Sequence, residues 1–132
     1  MKVEATMIKH HTDPSMPHSH LPFSPAVQVG NLLFVSGQAS VDPTGQIVDD
    51  DFEGEMRRAV GNLEAILKHC GSGLDRVVKT QNYLADPKYR DQYNLLYPQL
   101  FRQPFPARTT VTKGLSGTLK YEIDCIAVVG EQ

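Results

Sequence analysis

One apolar stripe limits what this chain can become. Phe52, Met56, Ala59, Val60, Leu63, Ile66, Leu67 and Cys70 recur at three- and four-residue intervals, the spacing of a single helix face. A helix with one apolar face must lay that face on something, and the segments on either side read as strands. Asp49, Asp50 and Asp51 precede the stripe, where negative charge suits the helix dipole and a carboxylate can cap the first turn; Gly71 is a natural stop. Gly54 and Gly61 fall inside the helix and weaken it by roughly 1 kcal/mol each against alanine, too little to overturn the stripe. The aspartate run therefore reads as capping and solvation rather than as a metal site.

The flanking patterns set the class of fold. Val3, Ala5 and Met7 alternate with polar residues as a short edge strand would. Residues 10–25, with four histidines and four prolines, read as an irregular loop. Val27–Val29 and Leu32–Val35 flank Gly30-Asn31 as a tight hairpin, and Ser36-Gly37-Gln38 follows, its glycine marking a close backbone approach. Asp42-Pro43-Thr44-Gly45 is a turn. After the helix, Val77–Leu84 is a strand with Val78, Thr80, Asn82 and Leu84 on one face, broken by Asp86-Pro87. A second helix buries Tyr93, Leu96, Tyr97 and Leu100, and Pro98 within it should bend or shorten it. Two strands close the chain, around Pro106–Thr112 and Tyr121–Val128.

Strands, helix, strand, helix and two strands imply an α+β fold, a single mixed sheet with two helices on one face. The chain has nothing left to cover the other face, so self-association is expected. At 132 residues, 1–132 reads as one domain with a sizeable core. The net charge of −2 argues against a nucleic-acid partner, and no run of about 18 apolar residues suggests a membrane span. The N-terminus lacks the apolar core of a signal peptide, which makes the expected location cytoplasmic, with Cys70 and Cys125 packed and reduced.

Two charged residues stand where strand pattern does not require them. Arg108 shares a strand face with Thr110 and Thr112; it is either a solvent-facing residue or a planar fork for a carboxylate. Glu122 alternates with the apolar face of the last strand; it is either an exposed strand-end carboxylate or a group whose pKa burial raises toward proton transfer. If those two strands pair, both groups stand near one cavity. His10, His11, Asp13, His18 and His20 match no compact metal motif and read as part of a polar loop. Ser36 lacks the glycines of a nucleophile elbow.

Taken together, Pro22-Phe23, Gly30-Asn31 leading to Ser36-Gly37-Gln38, Val78-Lys79-Thr80, Asn94 and Tyr97, and Pro106-Ala107-Arg108 followed by Glu122-Ile123 resemble the RidA family, also called YjgF. The match runs from Pro22 to Val129. The resemblance implies a chorismate-mutase-like fold, a homotrimer with a central barrel, and ligand clefts between subunits. It also implies hydrolytic deamination of enamines and imines such as 2-aminoacrylate to 2-keto acids and ammonia, with no metal or organic cofactor. Arg108 would hold the substrate carboxylate and Glu122 would orient or activate water. Phe23, Ser36, Gly37, Asn94 and Thr110 match substrate-binding positions of the cleft. Phe23 stands where tyrosine is common in the family and Thr110 where cysteine is frequent. Those departures leave room for a pathway-specific deaminase of an aminomuconate-type compound, or for a trimer that binds small carboxylates or protein partners without turning anything over.

Overall fold

The structure is a computed structural model and describes residues 7–16 and 19–130. Six strands and two helices alternate along them: β1 (Ile8–His11), β2 (Ala26–Val29), β3 (Leu32–Ala39), α1 (Phe52–His69), β4 (Val77–Leu84), α2 (Arg90–Leu100), β5 (Ala107–Thr112) and β6 (Tyr121–Val128). The strands form one sheet in the order β1-β2-β3-β6-β4-β5. β4 and β5 are parallel, as a strand–helix–strand crossover through α2 requires, and every other neighbouring pair is antiparallel. The expected α+β architecture is present.

α1 forms where its stripe says it should. Asp51 caps it, its side chain accepting the Gly54 N–H, and Phe52, Met56, Ala59, Val60, Leu63, Ile66 and Leu67 are all buried. Gly54 has a packing reason as well: a Cβ there would lie 2.1 Å from Asp50 Oδ2, so only glycine lets that carboxylate lie against the helix, where it meets Arg58. The stripe rests on Leu33 and Val35 of β3 and on Ile123, Cys125 and Ala127 of β6. α2 lies on the same side, over β4 and β5, with the Tyr97 hydroxyl 2.8 Å from Thr80 Oγ1 and the Tyr93 hydroxyl 2.8 Å from Thr110 Oγ1.

The opposite face carries Val27, Val29, Leu32, Phe34, Ile126 and Val128 side by side, by their cross-strand register. Leu32 and Phe34 are exposed there, and no element among the described residues covers them.

Several local expectations are corrected. His10 and His11 are not loop residues but the end of β1, paired with Val27 and Ala26. The alternation from Val3 to Ala5 falls on residues 1–6, outside the described residues, as does His18. β3 does not stop at Val35: it runs through Ser36-Gly37-Gln38 to Ala39, with a bulge between Val35 and Gln38. A second bulge, between Val77 and Lys79, exchanges the faces of Val77 and Val78, so Val77 is buried and Val78 exposed. α2 continues through Pro98 and ends two residues later at Leu100. A proline so near the end removes one internal donor, the bond to the Asn94 carbonyl, and the helix tolerates that loss.

Candidate functional site

The proposed site residues fall into two groups on opposite faces of the sheet. Arg108 faces the helices. Its guanidinium carbon sits 4.7 Å from the Tyr93 ring centroid and 4.8 Å from that of Tyr97, and its Nη2 donates to Asn94 Oδ1 at 2.6 Å. A cleft of about 260 Å³ opens beside it, lined by Asn94, Tyr97, Pro98, Phe105, Pro106 and Arg108. Its walls are apolar rings, and its polar end is the arginine with the asparagine amide. An exposed arginine held between ring faces and an amide keeps its remaining N–H donors directed at an incoming anion. Thr110 borders this group, but its hydroxyl is engaged by Tyr93. Burial raises the Tyr93 and Tyr97 phenols above their ordinary pKa, so both remain neutral phenols at physiological pH.

The second group lies on the outer face. Glu122 is half-buried there, opposite Ala39 of β3 and Tyr83 of β4. Its carboxylate covers Gly37: a Cβ built on that glycine would stand 2.6 Å from Glu122 Oε2 and 3.2 Å from its Cδ. Burial first, and the nearby charge of Asp124 second, raise the Glu122 pKa above the ordinary glutamate value of 4.5. Ser36, next to Gly37, donates its hydroxyl to the Ser24 carbonyl at 2.6 Å and so fixes the loop beside Phe23, which is exposed. Phe23, Ser36, Gly37 and Glu122 thus belong to one neighbourhood of the chain, and Asn94, Thr110 and Arg108 to another.

The expectation that the strands of Arg108 and Glu122 pair is overturned. β4 lies between β5 and β6. Arg108 aligns with Thr80, whose side chain is buried under α2, whereas Glu122 aligns with Tyr83, which points the other way. One chain does not bring the two groups into one cavity.

Glu55 is a polar residue that sequence reasoning passed over. It is buried on α1, takes the Lys120 backbone N–H at 3.0 Å and Lys120 Nζ at 3.0 Å, and receives the Asp50 N–H at 3.2 Å. Lys120 also reaches Asp49 at 2.8 Å, and these carboxylates push its pKa upward. The cluster pins the start of β6, two residues before Glu122. The only sequence signal was a glutamate adjoining Met56 at the edge of the apolar stripe.

The family description Endoribonuclease L-PSP matches residues 14–129. The chain belongs to this family, also called YjgF or RidA. Among RidA-family relatives, a RutC family protein of Pyrococcus abyssi is 41% identical over 91 residues, 68% of this chain and 72% of that protein. The human 2-iminobutanoate/2-iminopropanoate deaminase is 36% identical over 111 residues, 83% of this chain and 81% of its own. The crystal structure of yeast Mmf1 matches with a TM-score of 0.86 at 27% identity, covering 94% of this chain and 100% of that one. Membership of the RidA family agrees with the resemblance read from the sequence. Among the described residues, no helix is long and apolar enough to cross a membrane, and no group of three His, Cys, Asp or Glu side chains is arranged to hold a metal.

Proposed function

We propose that this RidA-family chain hydrolyses 2-imino acids, formed from 2-aminoacrylate-like enamines, to 2-keto acids and ammonia. The supporting observation is Arg108, seated over two adjoining tyrosine rings at the mouth of an apolar cleft. The similarity to a human protein named as an imine deaminase supports the same reaction class. An imine carbon is already electrophilic, so the protein chiefly has to orient substrate and water and to move protons. Arg108 takes the carboxylate by a two-bonded fork. Glu122, as carboxylate, accepts a proton from water as the oxygen adds to the imine carbon, giving a carbinolamine. That proton passes to nitrogen, the hydroxyl proton follows it as the C–N bond breaks, and ammonia leaves as the C=O bond forms. A compact carboxylate suits a site with one arginine and a chain of net charge −2 better than a polyanion does.

Because Arg108 and Glu122 lie on opposite faces, a working site needs both from different copies. The uncovered outer face supplies the surface for that assembly, and a homotrimer with a central barrel and clefts between subunits places the two groups together. Two unbridged thiols, Cys70 and Cys125, suit the cytoplasm. The direct test follows ammonia and keto-acid release from freshly generated 2-iminopropanoate, 2-iminobutanoate and aminomuconate-type compounds, with the mass determined by light scattering. Keto-acid binding without turnover of any of them would overturn the deaminase assignment in favour of a carboxylate-binding trimer, and a monomer at micromolar concentration would overturn the shared cleft.

Gly37→Ala isolates the carboxylate. The added methyl must displace the end of a flexible side chain rather than backbone, so the thermal midpoint should move little. The displaced Glu122 no longer meets the water, and kcat is expected to fall about tenfold or more. Unchanged kcat would show that the position of the carboxylate over Gly37 is irrelevant to turnover.

A further inference from the structure

Arg108 is exposed, and an unrestrained arginine samples many rotamers, yet this one rests on two rings and donates to an amide oxygen. The support comes from below. The Tyr121 hydroxyl donates to Asn82 Oδ1 at 2.6 Å, Asn82 Nδ2 donates to Thr80 Oγ1 at 3.0 Å, and Thr80 Oγ1 is 2.8 Å from the Tyr97 hydroxyl. Thr80 and Asn82 are fully buried, an expensive place for polar side chains unless every group is partnered, as these are. The chain of bonds ends beneath the ring on which the guanidinium rests. Tyr93 forms the adjoining wall, tied by its hydroxyl to Thr110, the arginine's neighbour on the same strand face.

We propose that Tyr97, anchored through Thr80 and Asn82, is the positioning residue that holds the Arg108 guanidinium in its substrate-ready orientation, with Tyr93 as the second wall. The sheet interior thereby sets the geometry of an exposed anion clamp. Thr80 and Asn82 act through Tyr97, and Tyr97 and Tyr93 act through Arg108, taken here as the carboxylate clamp proposed above. A binding site whose arginine is already oriented loses little freedom when the anion arrives, so the benefit is read in affinity more than in the chemical step.

The test compares Tyr97→Leu, Tyr97→Phe and Thr80→Val with the wild-type assembly. Two readouts are taken: the side-chain Nε–H resonance of Arg108, which lies in the ring currents of both tyrosines, and the Kd of a 2-keto acid by calorimetry. Tyr97→Leu is expected to move the Arg108 resonance toward the free-arginine position and to raise Kd and KM about tenfold, with kcat changed less than threefold. Tyr97→Phe and Thr80→Val each keep the ring but break its bond at Thr80, and both are expected to give an intermediate loss of resonance shift and affinity. An Arg108 resonance unmoved in Tyr97→Leu would overturn the positioning role. A resonance that moves while Kd stays constant would leave Tyr97 as the orienting ring and would instead overturn Arg108 as the clamp. Should Tyr97→Leu fail to fold, Thr80→Val decides by the same two readouts.

Discussion

Replacing Arg108 by alanine is expected to lower kcat/KM for 2-imino acid hydrolysis by about a hundredfold, a loss of about 3 kcal/mol typical of a charge-assisted hydrogen-bonded pair. The side chain is exposed and supports no core packing, so the fold should be unaffected and the thermal midpoint nearly constant. Arg108→Lys keeps the charge and loses the fork, and should recover only part of the rate, because a lysine ammonium cannot make two parallel bonds to a carboxylate. The Kd of the keto-acid product should rise in parallel. Alanine-variant kinetics equal to wild type, on folded protein, would remove Arg108 from substrate binding.

Glu122→Gln is expected to lower kcat by a factor on the order of 100 to 1,000, the usual contribution of a positioned proton acceptor. The pH dependence identifies the cause. If the carboxylate is the working form, activity rises with pH as Glu122 ionises, and burial together with the Asp124 charge sets that acid limb above the ordinary glutamate value of 4.5. Glutamine should abolish the limb as well as the rate; a limb that survives would belong to another group. Stability responds with the opposite sign. A carboxyl whose folded pKa is raised holds its proton more tightly in the native state, so the native state loses stability as pH climbs from the unfolded value through the folded one. Glutamine carries no such penalty, and the variant should be at least as stable as wild type at neutral pH.

Much of the frame was legible in the sequence. The stripe from Phe52 to Cys70, the alternation of Tyr121, Ile123, Cys125 and Ala127, and the Gly30-Asn31 hairpin all report burial directly, because side-chain period follows backbone period. Strand order was harder. The last two strands look like a hairpin in the linear chain, but β4–α2–β5 is a crossover unit that makes β4 and β5 parallel partners, and β6 then returns on the far side of β4. That choice moved Glu122 to the face opposite Arg108. The bulges at Ser36-Gly37 and at Val78 were also invisible, since one unpaired residue shifts the register without leaving a composition signal. At the site, the charged residues stood out because they broke a pattern. Tyr93 and Tyr97 did not, because core tyrosines and arginine-flanking tyrosines have the same helical spacing.

The separation of Arg108 and Glu122 across the sheet has a genetic consequence. If each cleft draws its arginine from one chain and its carboxylate from the next, a defective chain is not merely silent: it spoils a cleft in which its neighbour is sound. Conversely, a chain lacking only Arg108 and a chain lacking only Glu122 carry complementary defects. Unfolded together and reassembled in equal amounts, they should give mixed assemblies in which roughly a quarter of the clefts hold both wild-type groups, although each parent is nearly inactive alone. Clefts completed within one chain would show no such recovery.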